Sequence, residues 1–159
     1  MKMNFAWVIF LMVVTCACAN AQCRQNSLAV IVNKSNPAEN VTVAQLRRML
    51  IGDVRAWPDH KAAALVSPEP TSKVFQCVLS AIVRLSDAEY HRYLLSAEFR
   101  GEEPMVVQTA ESDVAAARLV ASSAGAISIV DVRSAAMVST MVKVIQVNGK
   151  NLGEAGYPL

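Results

Sequence analysis

The stretch from Ser67 to Phe75, "SPEPTSKVF", carries the side chains best suited to binding chemistry in this sequence. It follows an apolar run and precedes residues with helical spacing, a pattern that predicts a corner between a strand and a helix. The first turn of a helix leaves backbone N–H groups unpaired, and such groups bind anions readily. The hydroxyls of Thr71 and Ser72 would add donors to an oxyanion site there, and Lys73 would add positive charge.

The same corner could instead cap its own helix, since serine and threonine are frequent N-cap residues. Pro68 and Pro70 remove two N–H donors from the loop. Glu69 places a carboxylate where a bound anion would lie, although it also complements the positive end of the helix. These residues favour capping over anion binding.

Residue patterns typical of enzymes are weak in this chain. His60 follows a turn-like "WPD" and His91 lies in "SDAEYHRY", and neither belongs to an H-E-x-x-H motif. No serine stands in a G-x-S-x-G motif, and no glycine-rich phosphate loop is present. We therefore expect no enzymatic activity, no metal site and no cofactor. A secreted hydrolase with a triad assembled across the fold is a distant alternative.

The first 21 residues have the pattern of a secretory signal. Lys2 supplies a positive start, Phe5 to Val14 form an uncharged apolar block, and Ala19 to Ala21 suit cleavage before Gln22. A block of about ten apolar residues is too short to span a bilayer, which needs about twenty. A retained anchor and a lipoprotein signal are the less favoured alternatives. We expect a periplasmic or secreted chain of residues 22–159 with no transmembrane segment.

The charge balance bears on possible partners, and the cysteine content bears on a possible disulfide. After removal of Lys2, 14 basic residues face 13 acidic ones, which gives no electrostatic reason to expect nucleic acid as a partner. Cys23 and Cys77 remain, in a compartment that permits disulfides. They form a disulfide, or Cys77 is a buried thiol among its apolar neighbours; the sequence leaves both open.

The hydrophobic pattern alternates between strands and helices along the whole chain. Capping boxes at Thr42/Gln45 and Ser86/Glu89 predict two helix starts. Trp57 is expected to pack in a turn, with a ligand pocket as the alternative. The predicted strands cover 28–33, 62–66, 105–108, 126–131 and 142–147. Four helices are predicted: one from near Thr42 to near Gly52, one from the corner to near Val83, one from near Ser86 to near Gly101, and one from Thr109 or Ser112 to near Gly125.

This alternation predicts an α/β fold, a three-layer sandwich in which a mixed, mostly parallel sheet carries helices on both faces. No linker or repeat divides the chain, so residues 22–159 are expected to form a single domain. Its core would span 28–147, and the Gly- and Pro-containing tail of 148–159 would be loose.

Four stretches, "LAVIVNKSNP", "VTVAQLRRMLIGDVRAWPD", "SPEPTSKVFQCVL" and "AGAISIVD", together resemble the phosphate-type substrate-binding proteins of ABC transporters. Ile51-Gly52 and Trp57 match a turn of that family, and Gly125 to Ile127 match a later strand. The resemblance covers residues 28–147 and implies a type 2 periplasmic-binding-protein-like lobe. It also implies a small oxyanion such as phosphate as ligand.

The family's anion loop, Arg-Ser-Asp-Gly-Ser-Gly-Thr, is altered here. Aligning Phe75 with the aromatic residue after that loop places Ser67 at its arginine, Glu69 at its aspartate, Thr71 at its second serine and Lys73 at its threonine. The guanidinium and both glycines are missing, which removes a bidentate donor and the close approach of backbone to the anion.

The resemblance implies a short, single-lobe, non-enzymatic secreted member of the family. It would bind an oxyanion weakly through Thr71, Ser72 and Lys73, or would have lost that role and act as an accessory module with an envelope protein partner. The alternative is a functional phosphate-binding component of an ABC transport or sensing system, completed at the "PTSK" corner by a second subunit or partner.

Overall fold

The structure is a computed structural model that describes residues 23–24, 26–99 and 107–159. The predicted signal segment and the helix end predicted at Gly101 lie outside these residues. Within the described ranges, no helix has both the length and the apolar character needed to cross a membrane.

Strands and helices alternate along most of the described chain. In chain order the elements are β1 (Leu28–Val32), β2 (Asn40–Val41), α1 (Val43–Leu50), β3 (Ala64–Pro68), α2 (Lys73–Val78), a π-helical segment (Leu79–Val83), α3 (Asp87–Phe99), β4 (Val107–Ala110), α4 (Asp113–Ser122), β5 (Ala126–Asp131), α5 (Val132–Val138), β6 (Lys143–Val144) and β7 (Gln146–Val147).

The main sheet has five strands in the order β4-β3-β5-β1-β6. Strand β3 pairs in parallel with both β4 and β5, whereas β1 pairs antiparallel with β5 and β6. Four strands therefore run in one direction and β1 runs in the other. Strands β2 and β7 form a small parallel pair beside this sheet. The predicted mixed, mostly parallel sheet is confirmed.

Both faces of the sheet are covered, as the unbroken apolar sequence of β1 requires. Leu28, Val30 and Val32 of β1 point into a core shared with α1, α2, the π-helical segment and Tyr90 of α3. Ala29 and Ile31 point to the opposite face, where they pack in a core with α4 and α5. All five residues of β1 are at most 2% exposed. The predicted three-layer α/β architecture is confirmed.

Both predicted capping boxes are present. The Thr42 hydroxyl accepts a hydrogen bond from the backbone N–H of Gln45 at 3.1 Å, and the Gln45 side chain accepts one from the Thr42 N–H at 2.8 Å. Glu89 and Ser86 make the corresponding pair at the start of α3. Such boxes can be predicted from sequence because the first and fourth residues each accept a hydrogen bond from the backbone N–H of the other.

Several boundaries differ from the sequence-based expectations. Strand β3 begins two residues later than predicted, because Ala62 pairs instead with Ala56 in an isolated bridge. The predicted strand at 142–147 is divided: β6 joins the main sheet, β7 joins β2, and Ile145 lies between them. The predicted strand at 105–108 appears as β4 (Val107–Ala110), and 105–106 lie outside the described residues.

The prediction that Gly125 terminates α4 is wrong. Helix α4 ends at Ser122 with Ser123 as its C-cap, and the φ angle of Gly125 is not positive. Gly125 instead lies against another part of the backbone: a Cβ atom added there would stand 2.0 Å from the carbonyl oxygen of Ala62. Glycine is required at this position because two backbone segments touch.

The prediction of a loose tail at 148–159 is also wrong, because the last residues of this tail are packed in the core. Tyr157 and Leu159 are each 2% exposed and belong to the core that holds α1 and α2. Gly149, Gly153 and Gly156 adopt positive φ angles, which let the chain turn back onto this core. These glycines therefore mark turns within a packed segment.

Candidate functional site

The carboxyl ends of β3, β4 and β5 lie together at one edge of the sheet because these strands are parallel. Helices α2, α4 and α5 begin at this edge, each at or within a few residues of the end of a strand. Each helix is capped by its own side chain: Ser72 accepts from the N–H of Phe75 at 3.1 Å, Ser112 from Ala115 at 3.1 Å, and Asp131 from Arg133 at 2.8 Å.

The corner at Thr71, Ser72 and Lys73 is a tight turn at this edge. The N–H of Ser72 donates to the carbonyl of Glu69 at 2.8 Å, and the N–H of Glu69 donates to the carbonyl of Ala110 at 3.1 Å. Thr71 and Lys73 are exposed, and Ser72 is half-buried. The structure thus brings the three predicted residues together, with the Ser72 hydroxyl engaged as the N-cap of α2.

The small cavity beside the corner is acidic. It measures about 40 Å3, and Glu69, Ser72, Glu111, Ser112 and Asp113 are among its lining residues. Three carboxylates around so small a space repel any further negative charge. This cavity, which we call the corner cavity, is therefore poorly suited to an oxyanion.

A larger cavity lies on the other side of α2. It measures about 410 Å3 and is lined by residues that precede β1 together with the starts of α2 and α5. We call it the arm cavity, where the arm is the described residues 23–24 and 26–27. Its charged lining residues are Arg24, Lys73, Asp131 and Arg133.

Asp131 and Arg133, which both line the arm cavity, form a bidentate pair. The guanidinium Nε donates to Oδ1 and Nη2 donates to Oδ2, both at 3.0 Å. Hydrogen bonds from Arg133 hold the pKa of Asp131 below its ordinary value, and the positive charge of Lys73 adds to the effect. The same pairing raises the pKa of Arg133. Both side chains are therefore charged at neutral pH.

The arm is tied to α2 by a disulfide between Cys23 and Cys77, whose Cα atoms are 5.4 Å apart. Cys77 is 3% exposed and lies in the core beneath α2. Of the two alternatives left open by the sequence, the structure contains the disulfide. The hydroxyl of Ser80 lies 3.5 Å from the sulfur of Cys23.

Trp57 lies at the opposite edge of the sheet and is 5% exposed. Its indole N–H donates to the carbonyl of Gly125 at 2.8 Å, which fastens the turn to the start of β5. It also lines a cavity of about 420 Å3 together with Arg48, Asp59 and other residues. Its burial fits the predicted packing role.

The histidines are apart from these cavities. His60 and His91 are both exposed, and the ring of His91 contacts Asp87 one turn earlier on α3. Among the described residues, no group of three or more His, Cys, Asp or Glu side chains is arranged to hold a metal ion.

Sequence reasoning missed Arg24, Asp131 and Arg133 as members of a candidate site. The D-x-R spacing of Asp131 and Arg133 directly after a buried strand was an available signal, since aspartate is a frequent N-cap. Arg24 carried no such signal, because its place depends on the bond between Cys23 and Cys77.

No family model and no curated protein matches this sequence. Among solved structures, the fold is similar to an ABC-type phosphate transport receptor from Vibrio cholerae, with 22% identity and a TM-score of 0.62 over 79% of this chain and 48% of that one. It is also similar to PstS from Borrelia burgdorferi, with 14% identity and a TM-score of 0.61 over 79% of this chain and 48% of that one.

The chain thus spans about half the length of these solved structures. At identities this low, the structural similarity shows a shared fold alone. The described chain has the fold of a periplasmic-binding-protein-like domain, the fold seen in phosphate ABC transporter substrate-binding proteins.

Proposed function

We propose that this chain is an exported, non-enzymatic binding module of the substrate-binding-protein type that holds a small oxyanion weakly. The observation that supports binding is the fold shared with solved phosphate-binding proteins, and the state of the corner is the reason to expect that binding is weak. The Ser72 hydroxyl serves the N–H of Phe75, and the carboxylates of Glu69, Glu111 and Asp113 surround the corner cavity. Tight binding of phosphate needs several hydrogen-bond donors that are not already used within the protein, and this corner offers few.

Phosphate titration followed by calorimetry and thermal shift tests the proposal. A ligand that binds only the folded state adds about 2.7 kcal/mol of stability at a hundredfold excess over Kd. We expect phosphate to raise the melting temperature only at millimolar concentrations. Saturation at micromolar phosphate would refute weak binding and would favour the alternative, a phosphate-capturing component of a transport or sensing system.

Export of the chain is supported by its leader pattern and by its disulfide, since disulfides persist in oxidising compartments. The proposed mature form begins at Gln22 after cleavage behind Ala21. The intact mass of the protein purified from the expressing cell's periplasm or medium tests this start. A mass that includes residues 1–21 would contradict it.

An envelope protein partner is the second part of the proposal. The matched stretch covers 48% of each of two solved structures with this fold, and we propose that an envelope protein supplies further contacts to the ligand. Co-purification from envelope extract should return one defined partner in stoichiometric amount. Sedimentation of the chain as a lone monomer, with and without phosphate and in the presence of extract, would refute this part.

The absence of enzymatic activity is tested with generic ester and phosphoester substrates. We expect no turnover above that of a heat-unfolded sample. Saturable hydrolysis that tracks the folded protein through purification would support the hydrolase alternative.

A further inference from the structure

The arm cavity collects positive charge from parts of the sequence that are more than a hundred residues apart. Arg24 lies before β1, Lys73 opens α2, and Arg133 lies in the first turn of α5. Asp131 is the one carboxylate among the described lining residues. Three cations against one carboxylate leave the cavity with a positive charge at neutral pH.

Donors for a ligand are present at the wall of this cavity. A guanidinium has five N–H donors, and Arg133 uses two of them on Asp131. Ser27 also lines this cavity, although its hydroxyl oxygen is buried. Its backbone carbonyl accepts from the N–H of Val132 at 2.9 Å, which holds this end of the arm against the start of α5.

The arm cavity is much larger than the corner cavity. About 410 Å3 lies within the range of about 300–1,000 Å3 that small-molecule sites occupy, whereas about 40 Å3 does not. Because Asp131 already offsets one of the three cations, a ligand with one negative charge would leave one cation unneutralised, and a ligand with two would leave none. The charge and the volume together favour an organic anion that carries more than one acidic group.

We propose that the arm cavity is the anion site of this protein, and that it takes a small organic anion with two or more carboxylate or phosphate groups. This inference rests on the proposed function, because it gives a place and a ligand class to the anion binding proposed there. Arg24 and Lys73 supply positive charge, and Arg133 supplies directed donors while Asp131 holds its guanidinium in place.

The disulfide has a positioning role in this site. Cys77 lies one helical turn after Lys73 on α2, so the two side chains share a face of that helix. The bond to Cys23 therefore holds the next residue, Arg24, beside Lys73. Reduction releases the Cys23 end of the arm, whereas the Ser27 end stays bonded to Val132. Anion binding should weaken on reduction while the fold persists.

Calorimetric titration of the oxidised full mature chain with citrate and with inorganic phosphate, at low ionic strength, tests the site. We expect citrate to bind more tightly than phosphate. Arg24→Gln and Arg133→Gln should each weaken citrate binding about tenfold, the effect of losing one charged hydrogen bond. Reduction of the wild type, and Cys23→Ser, should weaken it several-fold.

Two control variants separate binding in the arm cavity from a general effect of surface charge and from binding at the corner. Arg118→Gln removes the same charge from an exposed position on α4 that lines neither cavity. Thr71→Ala alters the exposed part of the corner and leaves the Ser72 cap of α2 and the cations of the arm cavity intact. We expect both controls to bind citrate within about twofold of the wild type. Far-UV circular dichroism and Trp57 fluorescence establish that each variant is folded.

Equal citrate affinity in Arg24→Gln, Arg133→Gln and Arg118→Gln would overturn the arm cavity as the site and leave the weak anion binding of the proposed function standing. Binding of neither anion by the oxidised wild type would overturn that anion binding itself. Loss of binding in Thr71→Ala alone would return the site to the corner. Unchanged affinity after reduction and in Cys23→Ser would overturn the positioning role of the disulfide.

Discussion

Replacing Gly125 with alanine tests the close approach of two backbone segments that fastens the Trp57 turn to the sheet. The added Cβ would stand 2.0 Å from the carbonyl oxygen of Ala62 and 3.2 Å from its carbonyl carbon. Ordinary contacts begin at about 3.4 Å, so the two segments must separate by more than about 1 Å.

Two hydrogen bonds depend on the present separation. The carbonyl of Gly125 accepts from the N–H of Ala64 at 3.1 Å and from the indole N–H of Trp57 at 2.8 Å. Each is worth about 1 kcal/mol net, and forcing atoms into a packed site costs about 1–3 kcal/mol. Gly125→Ala should therefore lower the free energy of unfolding by about 2–4 kcal/mol.

Gly52→Ala is the matched control. Gly52 has a φ of +84°, and a Cβ added there meets nothing within 4 Å. The cost is then that of a left-handed conformation alone, about 1 kcal/mol. Both substitutions change the unfolded chain in the same way, so their difference compares the contact with Ala62 at Gly125 with the left-handed conformation at Gly52.

Urea denaturation followed by tryptophan fluorescence measures both variants. The sequence has two tryptophans, and Trp57 is the one that remains after the proposed cleavage, so the emission reports the turn itself. We expect a red-shifted native emission in Gly125→Ala and an unchanged one in Gly52→Ala. Unfolding free energies of the two variants within about 0.5 kcal/mol of each other would refute the close approach.

Three further predictions concern the cross-link, the corner and one buried phenol. Cys23→Ala keeps the buried Cys77 but opens a cross-link that spans 54 residues, so urea unfolding should show a loss of about 2–4 kcal/mol, and dithiothreitol should destabilise the wild type but not the variant. Ser72→Ala removes the N-cap of α2 and should cost about 1 kcal/mol with or without phosphate, whereas Ser72→Thr should cost less; a loss seen only with phosphate present would contradict the capping role. Burial raises the pKa of Tyr157 to about 12. The unfolded phenol, with an ordinary pKa near 10, therefore ionises first, and stability falls as pH rises from about 10 to about 12. Melting temperatures at pH 8 and pH 11 should differ less in Tyr157→Phe than in the wild type, and an equal difference would count against a buried phenol.

The sequence by itself predicted the α/β class and most of the elements, but it predicted neither β2 nor α5. The alternation of apolar strands with helical spacing predicts the α/β class, and the boxes at Thr42 and Ser86 predict two helix starts. Ser72 is an N-cap candidate by residue type and position, and it is the N-cap of α2. Such features can be predicted because periodicity and capping depend on residues within one or two turns of each other.

Tertiary structure decided how distant residues meet. Gly125 looks like a helix terminator in sequence, and only the placement of Ala62 beside it shows a backbone contact. Residues 142–147 form two strands because β6 pairs within the main sheet whereas β7 pairs with β2. Tyr157 is buried because it packs in a core formed by earlier elements. Arg24, Lys73 and Arg133 line one cavity because the strand order brings the starts of β1, α2 and α5 to one edge and the disulfide fixes the arm there. No local pattern encodes that meeting, since it follows from sheet topology and a covalent bond across 54 positions.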